Sequence, residues 1–385
     1  MKIGVWKEQM PGERRVALVP ESIVKLKKVG LEVLVEKGAG AASFISDRLY
    51  EEAGATVVAD RTELTAAADI IVKVQRPLGP DGDHAELDAI PEGKVLIALL
   101  QPLVHPKVAG ILASRRVTSF SLDAIPRISR AQNMDVLSAM SSIAGYKAVL
   151  IAANSLGKYL PMLTTAAGTI PPSRGLILGA GVAGLQAIAT ARRLGAVVEA
   201  FDVRPAVKEQ VESLGATFVE VDYGQATEDK GGYAKELTED AQRRQKEKIH
   251  ERIKLADFVI TTALIPGRRA PILVTAEMVA DMKPGSVIVD LAAEMGGNCE
   301  LTTPDQTVIK HDVIIHGPSN LPSEMAAQSS QLFSRNLTNF LLLLHKNGQL
   351  NLDFNDVIIK DCCITHAGEI KHGRTAELLA AQKGS

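Results

Sequence analysis

Gly175-Leu176-Ile177-Leu178-Gly179-Ala180-Gly181-Val182-Ala183-Gly184-Leu185-Gln186-Ala187 is the stretch that decides the fold. An apolar run leads into G-x-G-x-x-G at Gly179, Gly181 and Gly184, and a helical pattern follows. Gly179 suits a tight turn, Gly181 lets the backbone approach a pyrophosphate, and Gly184 permits close packing of helix on strand. The pyrophosphate is expected at the helix N-terminus, around Val182, where unpaired amides and the helix dipole favour anions. The next apolar run, Val197-Val198-Glu199-Ala200-Phe201, ends in Asp202, 18 residues past Gly184. A carboxylate at that spacing accepts hydrogen bonds from both ribose hydroxyls and repels a 2′-phosphate. Arg204, two residues on, is the residue type that holds a 2′-phosphate, but Asp202 is better placed, so the pattern selects NAD(H). Downstream, Phe258 to Gly267 reads as a strand running into a loop that includes Leu264, and its carboxyl end should line the same crevice. Asp290, at the end of Val287-Ile288-Val289, either lines that crevice too or is a buried cap.

Moving outward, one pattern recurs. A helical stretch ends at Gly30, Gly54, Gly195 or Gly215, and a β-branched run follows each glycine. Glycine after a helix supplies the left-handed C′ position, and the apolar run is the next strand. Helix and strand alternate in two blocks, before about residue 125 and after about residue 175, which implies an α/β fold with largely parallel sheets. The expected architecture is two Rossmann-like, doubly wound domains joined by long hinge helices. Asp135 to Tyr159 reads as one such helix and Ser329 to His345 as the other. They predict a discontinuous first domain, residues 1–136 plus 322–385, and a nucleotide-binding domain over residues 137–321. Asp222 to Arg252 is polar and charge-dense, with Gly231-Gly232-Tyr233 in its middle. It reads as a solvated loop before an exposed helix, and the loop, near 222–240, has the length of a mobile lid.

Composition narrows the function classes. At about 150 residues per domain, 385 residues make two domains or three. Lys and Arg (43) nearly balance Asp and Glu (45), which argues against a nucleic-acid partner, since that would show a basic surplus. A spanning helix needs about 20 consecutive apolar residues. The unbroken runs Val95–Leu100 and Phe340–Leu344 fall short of that, so no direct membrane insertion is expected. The N-terminus is too polar for a signal peptide. Cys299, Cys362 and Cys363 have neither metal-ligand spacing nor a disulfide framework, so no metal is expected and the chain reads as cytosolic.

Pro126-Arg127-Ile128-Ser129-Arg130-Ala131-Gln132-Asn133-Met134-Asp135-Val136-Leu137-Ser138 is dense in hydrogen-bonding groups at the start of the hinge helix. Arg127, Gln132, Asp135 and Ser138 either present a fixed polar array or serve in ordinary capping and solvation.

Taken together, these residues resemble the NAD(H)-binding first domain, or alpha subunit, of the proton-translocating NAD(P) transhydrogenases. The likeness runs from Lys7-Glu8 and Pro11–Ala17 through Lys73–Pro77, Arg127–Ser138, Ala166–Thr169 and Gly179–Gly184. It continues through Asp202-Val203-Arg204, Gly231–Glu236, Thr261–Gly267 and Lys283–Ile288. The resemblance implies hydride transfer from NADH bound here to NADP⁺ on a partner subunit, coupled by membrane-spanning subunits to proton translocation. It implies that Arg127, Asp135 and Ser138 orient the nicotinamide end, with Ile128 and Ser129 in the same turn. Gln132 reaches toward the partner's NADP(H), and Tyr233, beside Gly232, closes over NAD(H). Asp202, Val203 and Arg204 hold the adenosine end, with Gly179, Gly181, Val182 and Gly184 at the pyrophosphate. It further implies a homodimer at the cytoplasmic face of the inner membrane. The chain ends at Ser385, so the pore and the NADP(H) site are expected on other polypeptides. The alternative is an alanine dehydrogenase-like enzyme. That relative uses a Lys, a His and an Asp on its substrate; here Lys73 remains, Gln101 stands for the His and Glu294 for the Asp. Hydride transfer between two nicotinamides needs no proton transfer to substrate, so loss of the imidazole fits the transhydrogenase reading.

Overall fold

A computed structural model describes residues 1–79, 85–221, 238–265 and 267–383. They form two compact units, Met1–Met140 with Pro322–Ser385, and Ser141–Leu321. Each is built on a mainly parallel sheet, the architecture implied by the alternating helices and strands. The helix-ending glycines Gly30, Gly54, Gly195 and Gly215 all adopt the left-handed conformation.

In the first unit, six strands run parallel: β1 (Lys2–Val5), β2 (Glu32–Glu36), β3 (Thr56–Val58), β4 (Ile70–Gln75), β5 (Val95–Leu99) and β6 (Thr118–Ser121). Their order across the sheet is β6-β5-β4-β1-β2-β3. Every residue of β5 is buried, as a strand covered on both faces requires. The C-terminal strands Cys363–His366 and Glu369–Ile370 join antiparallel beyond β6. Thr365 anchors that return, its hydroxyl donating to the Val117 carbonyl at 2.7 Å and lying 2.6 Å from the Ser119 hydroxyl. The strand order reverses between β1 and β4. The loops leaving their carboxyl ends, with Glu8 and Gln75, therefore emerge at the switch point of the sheet.

The second unit carries an exposed hairpin, β7 (Leu163–Thr165) and β8 (Gly168–Ile170), ahead of its sheet. The sheet strands are β9 (Arg174–Leu178), β10 (Val197–Phe201), β11 (Thr217–Phe218), β12 (Phe258–Thr261), β13 (Val287–Asp290), β14 (Thr307–Lys310) and β15 (Val313–His316). They lie in the order β11-β10-β9-β12-β13-β15-β14, and only β14 runs antiparallel. Here the order reverses at β9, so the Gly179 loop leaves the sheet where β10 and β12 diverge. A doubly wound sheet binds its ligand at such a point.

The first hinge helix spans Val136–Ser155. By length and composition it could cross a membrane, with mean hydropathy 1.5. Ser138, Ser141, Ser142, Gly145 and Lys147 interrupt its apolar run. Its Ala148, Val149 and Ala152 sit in the second unit's core with Ile177, Ala187 and Ile260. The other long helix is Ala326–Leu343. The charge-dense segment does end in a helix, Glu239–Ile253. That helix buries Gln245, Ile249 and Ile253 at four-residue steps and leaves its charged face in solvent. Residues 222–237, including Gly232 and Tyr233, lie outside the described residues.

Candidate functional site

The glycine loop has the geometry its spacing predicts. Gly179 has φ +102°, a left-handed conformation open to glycine, and its N–H donates to the Phe201 carbonyl at 2.8 Å. A Cβ on Gly184 would lie 1.8 Å from the Gly179 carbonyl oxygen, so helix and strand touch backbone to backbone. A Cβ on Gly181 would meet nothing within 4 Å. Gly181 therefore borders open space, as a site of close ligand approach should. It is also the N-cap of the helix Val182–Arg193, with no side-chain cap on the first-turn amides. Such amides form a ready anion cradle. Gly145 of the hinge helix presses on this corner, its Cβ position 2.1 Å from the Ala183 carbonyl oxygen.

Asp202 ends β10 and is buried. Its Oδ2 accepts from the Ala180 N–H at 2.8 Å, tying the acid to the glycine loop. The Arg204 guanidinium donates to both carboxylate oxygens at 2.9 Å, and the Arg204 N–H donates to Oδ1 at 2.9 Å. The structure thus brings Gly179, Gly181, Val182, Gly184, Asp202 and Arg204 to one corner of the second unit, with Val203 between the last two.

Asp290 is wholly buried and accepts five hydrogen bonds. These come from the Thr261 and Thr302 hydroxyls and from the N–H groups of Ala292, Asn298 and Cys299, at 2.7–3.0 Å. Of the two readings of Asp290, the buried cap is correct. Sequence reasoning missed Asn298, which this cap holds in place. Asn298 donates to the Ala263 and Pro271 carbonyls and accepts from the Ala263 N–H, fixing the loop from which exposed Leu264 projects. The available signal was a polar residue directly after Gly296-Gly297.

In the first unit, Arg127 and Ile128 lead into a 3₁₀ turn, Ser129–Met134, and both are exposed, as are Ser129 and Gln132 on the turn. The underside of the turn is fixed. Ala131 and Met134 are buried, and the Asn133 carbonyl accepts from the amides of Asn336 and Asn339, both at 2.9 Å. Arg130 forms a bidentate pair with Asp356 at 2.7 Å. Asp135 caps the hinge helix, its Oδ1 accepting from the Ser138 N–H at 2.9 Å and its Oδ2 from the Ser138 hydroxyl at 2.6 Å. The capping reading holds for Asp135 and Ser138, and Ser138 Oγ keeps acceptor capacity.

Lys73, on β4, is completely buried. Its Nζ donates to Glu86 Oε2 at 2.7 Å and lies 3.9 Å from Glu8 Oε2. Arg61 completes the cluster, 2.9 Å from Glu86 Oε1 and 4.8 Å over the Trp6 ring. Burial pushes the Glu8 carboxyl up to about 7 despite the nearby Lys73 ammonium. Among the described residues, its Oε2 has no hydrogen-bond partner. Burial would also raise Glu13, but the Arg15 guanidinium, 2.6 Å away, holds it down at about 2. Gln101 has φ +48° and is half-buried at the end of β5, while Glu294 is exposed. Burial pushes all three cysteine thiols up, and none is in a disulfide.

Comparison with known proteins gives concordant matches. The family model for the alanine dehydrogenase/PNT N-terminal domain matches residues 4–144, and that for the C-terminal domain matches residues 148–373. An NAD(P) transhydrogenase subunit alpha chain of Rhodospirillum rubrum is 48% identical over 376 residues, covering 97% of this chain and 98% of that one. A solved transhydrogenase structure from Sinorhizobium meliloti is 44% identical and superposes with a TM-score of 0.87, over 96% of this chain and all of that one. An L-alanine dehydrogenase structure is 27% identical, with a TM-score of 0.83 over 99% of each chain.

Proposed function

Because the chain belongs to the alanine dehydrogenase/PNT family, we propose that it is the NAD(H)-binding component of an NAD(P) transhydrogenase. In this reading it passes a hydride from NADH to NADP⁺ held on a separate NADP(H)-binding subunit, and membrane-spanning subunits couple the transfer to proton translocation. The observation that carries the choice within the family is Gln101, which stands where the amino-acid dehydrogenase reading calls for an imidazole and has no proton to exchange near neutral pH. Lys73, which both readings keep, is fully buried and paired to Glu86. Amino-acid dehydrogenation needs an acid–base group at the Gln101 position, whereas transfer between two nicotinamides does not.

When bound, NADH supplies the hydride, and the chain supplies positioning and water exclusion. Asp202 accepts from the hydroxyls of the adenosine ribose. The amides of Gly181, Val182 and the following turn hold the pyrophosphate, in reach because Gly181 has no side chain. Asp135 and Ser138, locked to each other, accept from the nicotinamide carboxamide, and Arg127 donates to its oxygen. Ile128 and Ser129 set the height of that turn. Gln132 is exposed and uncommitted to the cap, so it can extend to the nucleotide on the partner subunit. Gly232 and Tyr233 close over the bound NAD(H), and Leu264 shields it from water. We also infer a homodimer, supported by the β7–β8 hairpin. It exposes Ile170 and the neighbouring Met162, and a two-stranded ribbon is marginal in water without a partner. The complex is placed at the cytoplasmic face of the inner membrane, with this chain attached through its partners.

The test against the alternative is direct. Pyruvate and ammonia added to the purified chain should leave NADH unoxidised. Turnover comparable to an amino-acid dehydrogenase would replace this reading with the alanine dehydrogenase one.

A further inference from the structure

A carboxylate offers about four acceptor positions, two on each oxygen. On Asp202 the chain itself fills all four. Oδ1 takes the Arg204 N–H and Nε, and Oδ2 takes the Ala180 N–H and a terminal guanidinium nitrogen, at 2.8–2.9 Å. These donors fall into two kinds. The Ala180 and Arg204 N–H groups belong to the backbone and fix the orientation of the acid. The other two are the prongs of one guanidinium, one on each oxygen, at the end of a side chain that can rotate away.

We propose that the Arg204 guanidinium competes with the adenosine ribose for Asp202, and so sets both the affinity for NAD(H) and the margin by which NADP(H) is rejected. This rests on the assignment of Asp202 to the ribose. A vicinal diol has two O–H donors at close spacing, and withdrawing the guanidinium frees one position on each oxygen. The fork thus occupies the two positions the diol needs. The Arg204 side chain is 21% exposed and Asp202 6%, so the cation can move into solvent while the acid stays in place. While paired, Arg204 also cancels the charge by which Asp202 would repel a 2′-phosphate. Once displaced, it remains a cation within reach of that phosphate. On both counts Arg204 works against selectivity for NAD(H).

The experiment measures NADH and NADPH dissociation constants for Arg204→Met, Arg204→Lys and Asp202→Asn in the full chain, with a thermal melt of each. Arg204→Met should bind NADH roughly five-fold more tightly, the scale of one partly exposed ion pair. It should bind NADPH no better than wild type, so selectivity rises. Arg204→Lys keeps the charge but loses the fork, and should fall between the two. If Arg204→Met does not fold, tighter binding by Arg204→Lys carries the test. NADH affinity unchanged or weakened in the folded Arg204 variants, with Asp202→Asn weakened, overturns the competition alone. NADH affinity unchanged in Asp202→Asn overturns the ribose assignment as well.

Discussion

Replacing Gly184 with alanine tests the nucleotide corner most sharply, because its effect can be worked from distances. The new Cβ would lie 1.8 Å from the Gly179 carbonyl oxygen and 2.9 Å from its carbonyl carbon. Both are backbone atoms, so no side chain can rotate to relieve the clash. The helix Val182–Arg193 must withdraw by more than an ångström. That strips Ala187, Ile188 and Ala191, all fully buried, from the sheet. Overpacking a close backbone contact costs about 3 kcal/mol, the upper part of the usual range. In a unit of this size that lowers the melting temperature by roughly 10 °C. The first-turn amides retreat with the helix, and NADH affinity, read from nucleotide fluorescence, should fall about ten-fold or more. Gly181→Ala is the matched control. Its Cβ meets open space and its φ of −76° suits alanine, so the melt should stay at wild type while NADH binding weakens. A wild-type melt and wild-type affinity for Gly184→Ala would refute the contact. Equal destabilisation in both variants would refute the division of roles between the two glycines.

Asp202→Ala should weaken NADH binding and reduce the preference over NADPH; equilibrium titrations with both nucleotides check this. Gln132→Asn should slow hydride transfer in stopped-flow assays with the partner subunits and leave NADH affinity nearly intact, because only the longer side chain reaches across. Glu8→Gln should change how stability depends on pH. Glu8 is raised in the fold from 4.5 to about 7, so its contribution is complete below pH 4.5 and is lost as pH rises through 7. The neutral amide avoids that loss. Relative to wild type, the variant should gain up to about 3 kcal/mol between pH 5 and pH 8 in urea melts. A difference that does not vary with pH would contradict the assignment.

Much of the fold was legible because its signals are local. Glycine at a helix end followed by a β-branched run marks each helix-to-strand passage, and four such glycines adopt the conformation that makes them necessary. The glycine-loop corner was legible for the same reason: Gly179, Gly181, Gly184 and Asp202 lie within one strand–helix–strand passage. What stayed hidden depends on contacts between distant residues. Glu86 is remote from Glu8 in sequence, and only the adjacency of β1 and β4 brings both to Lys73. Asn298 acts through the loop after β12; the Gly296-Gly297 pair before it marks a turn but not that distant contact. Of the two readings of Asp135, the cap is visible in the structure, and it also orders the Ser138 hydroxyl. The helix over Val136–Ser155 was legible from its sequence, but its membrane-like mean hydropathy was not, because small polar residues break its apolar run without lowering the mean far.

The measurement closest to the central claim follows a labelled hydride. The chain would be mixed with an NADP(H)-binding subunit and the membrane-spanning subunits of a transhydrogenase, then supplied with NADH carrying deuterium at both C4 positions and with NADP⁺. The NADPH formed should carry the deuterium, without dilution by solvent protons, and no such product should form when this chain is omitted. NADPH without the label, or no NADPH while pyruvate and ammonia oxidise NADH, would contradict the assignment of this chain as the hydride donor's subunit.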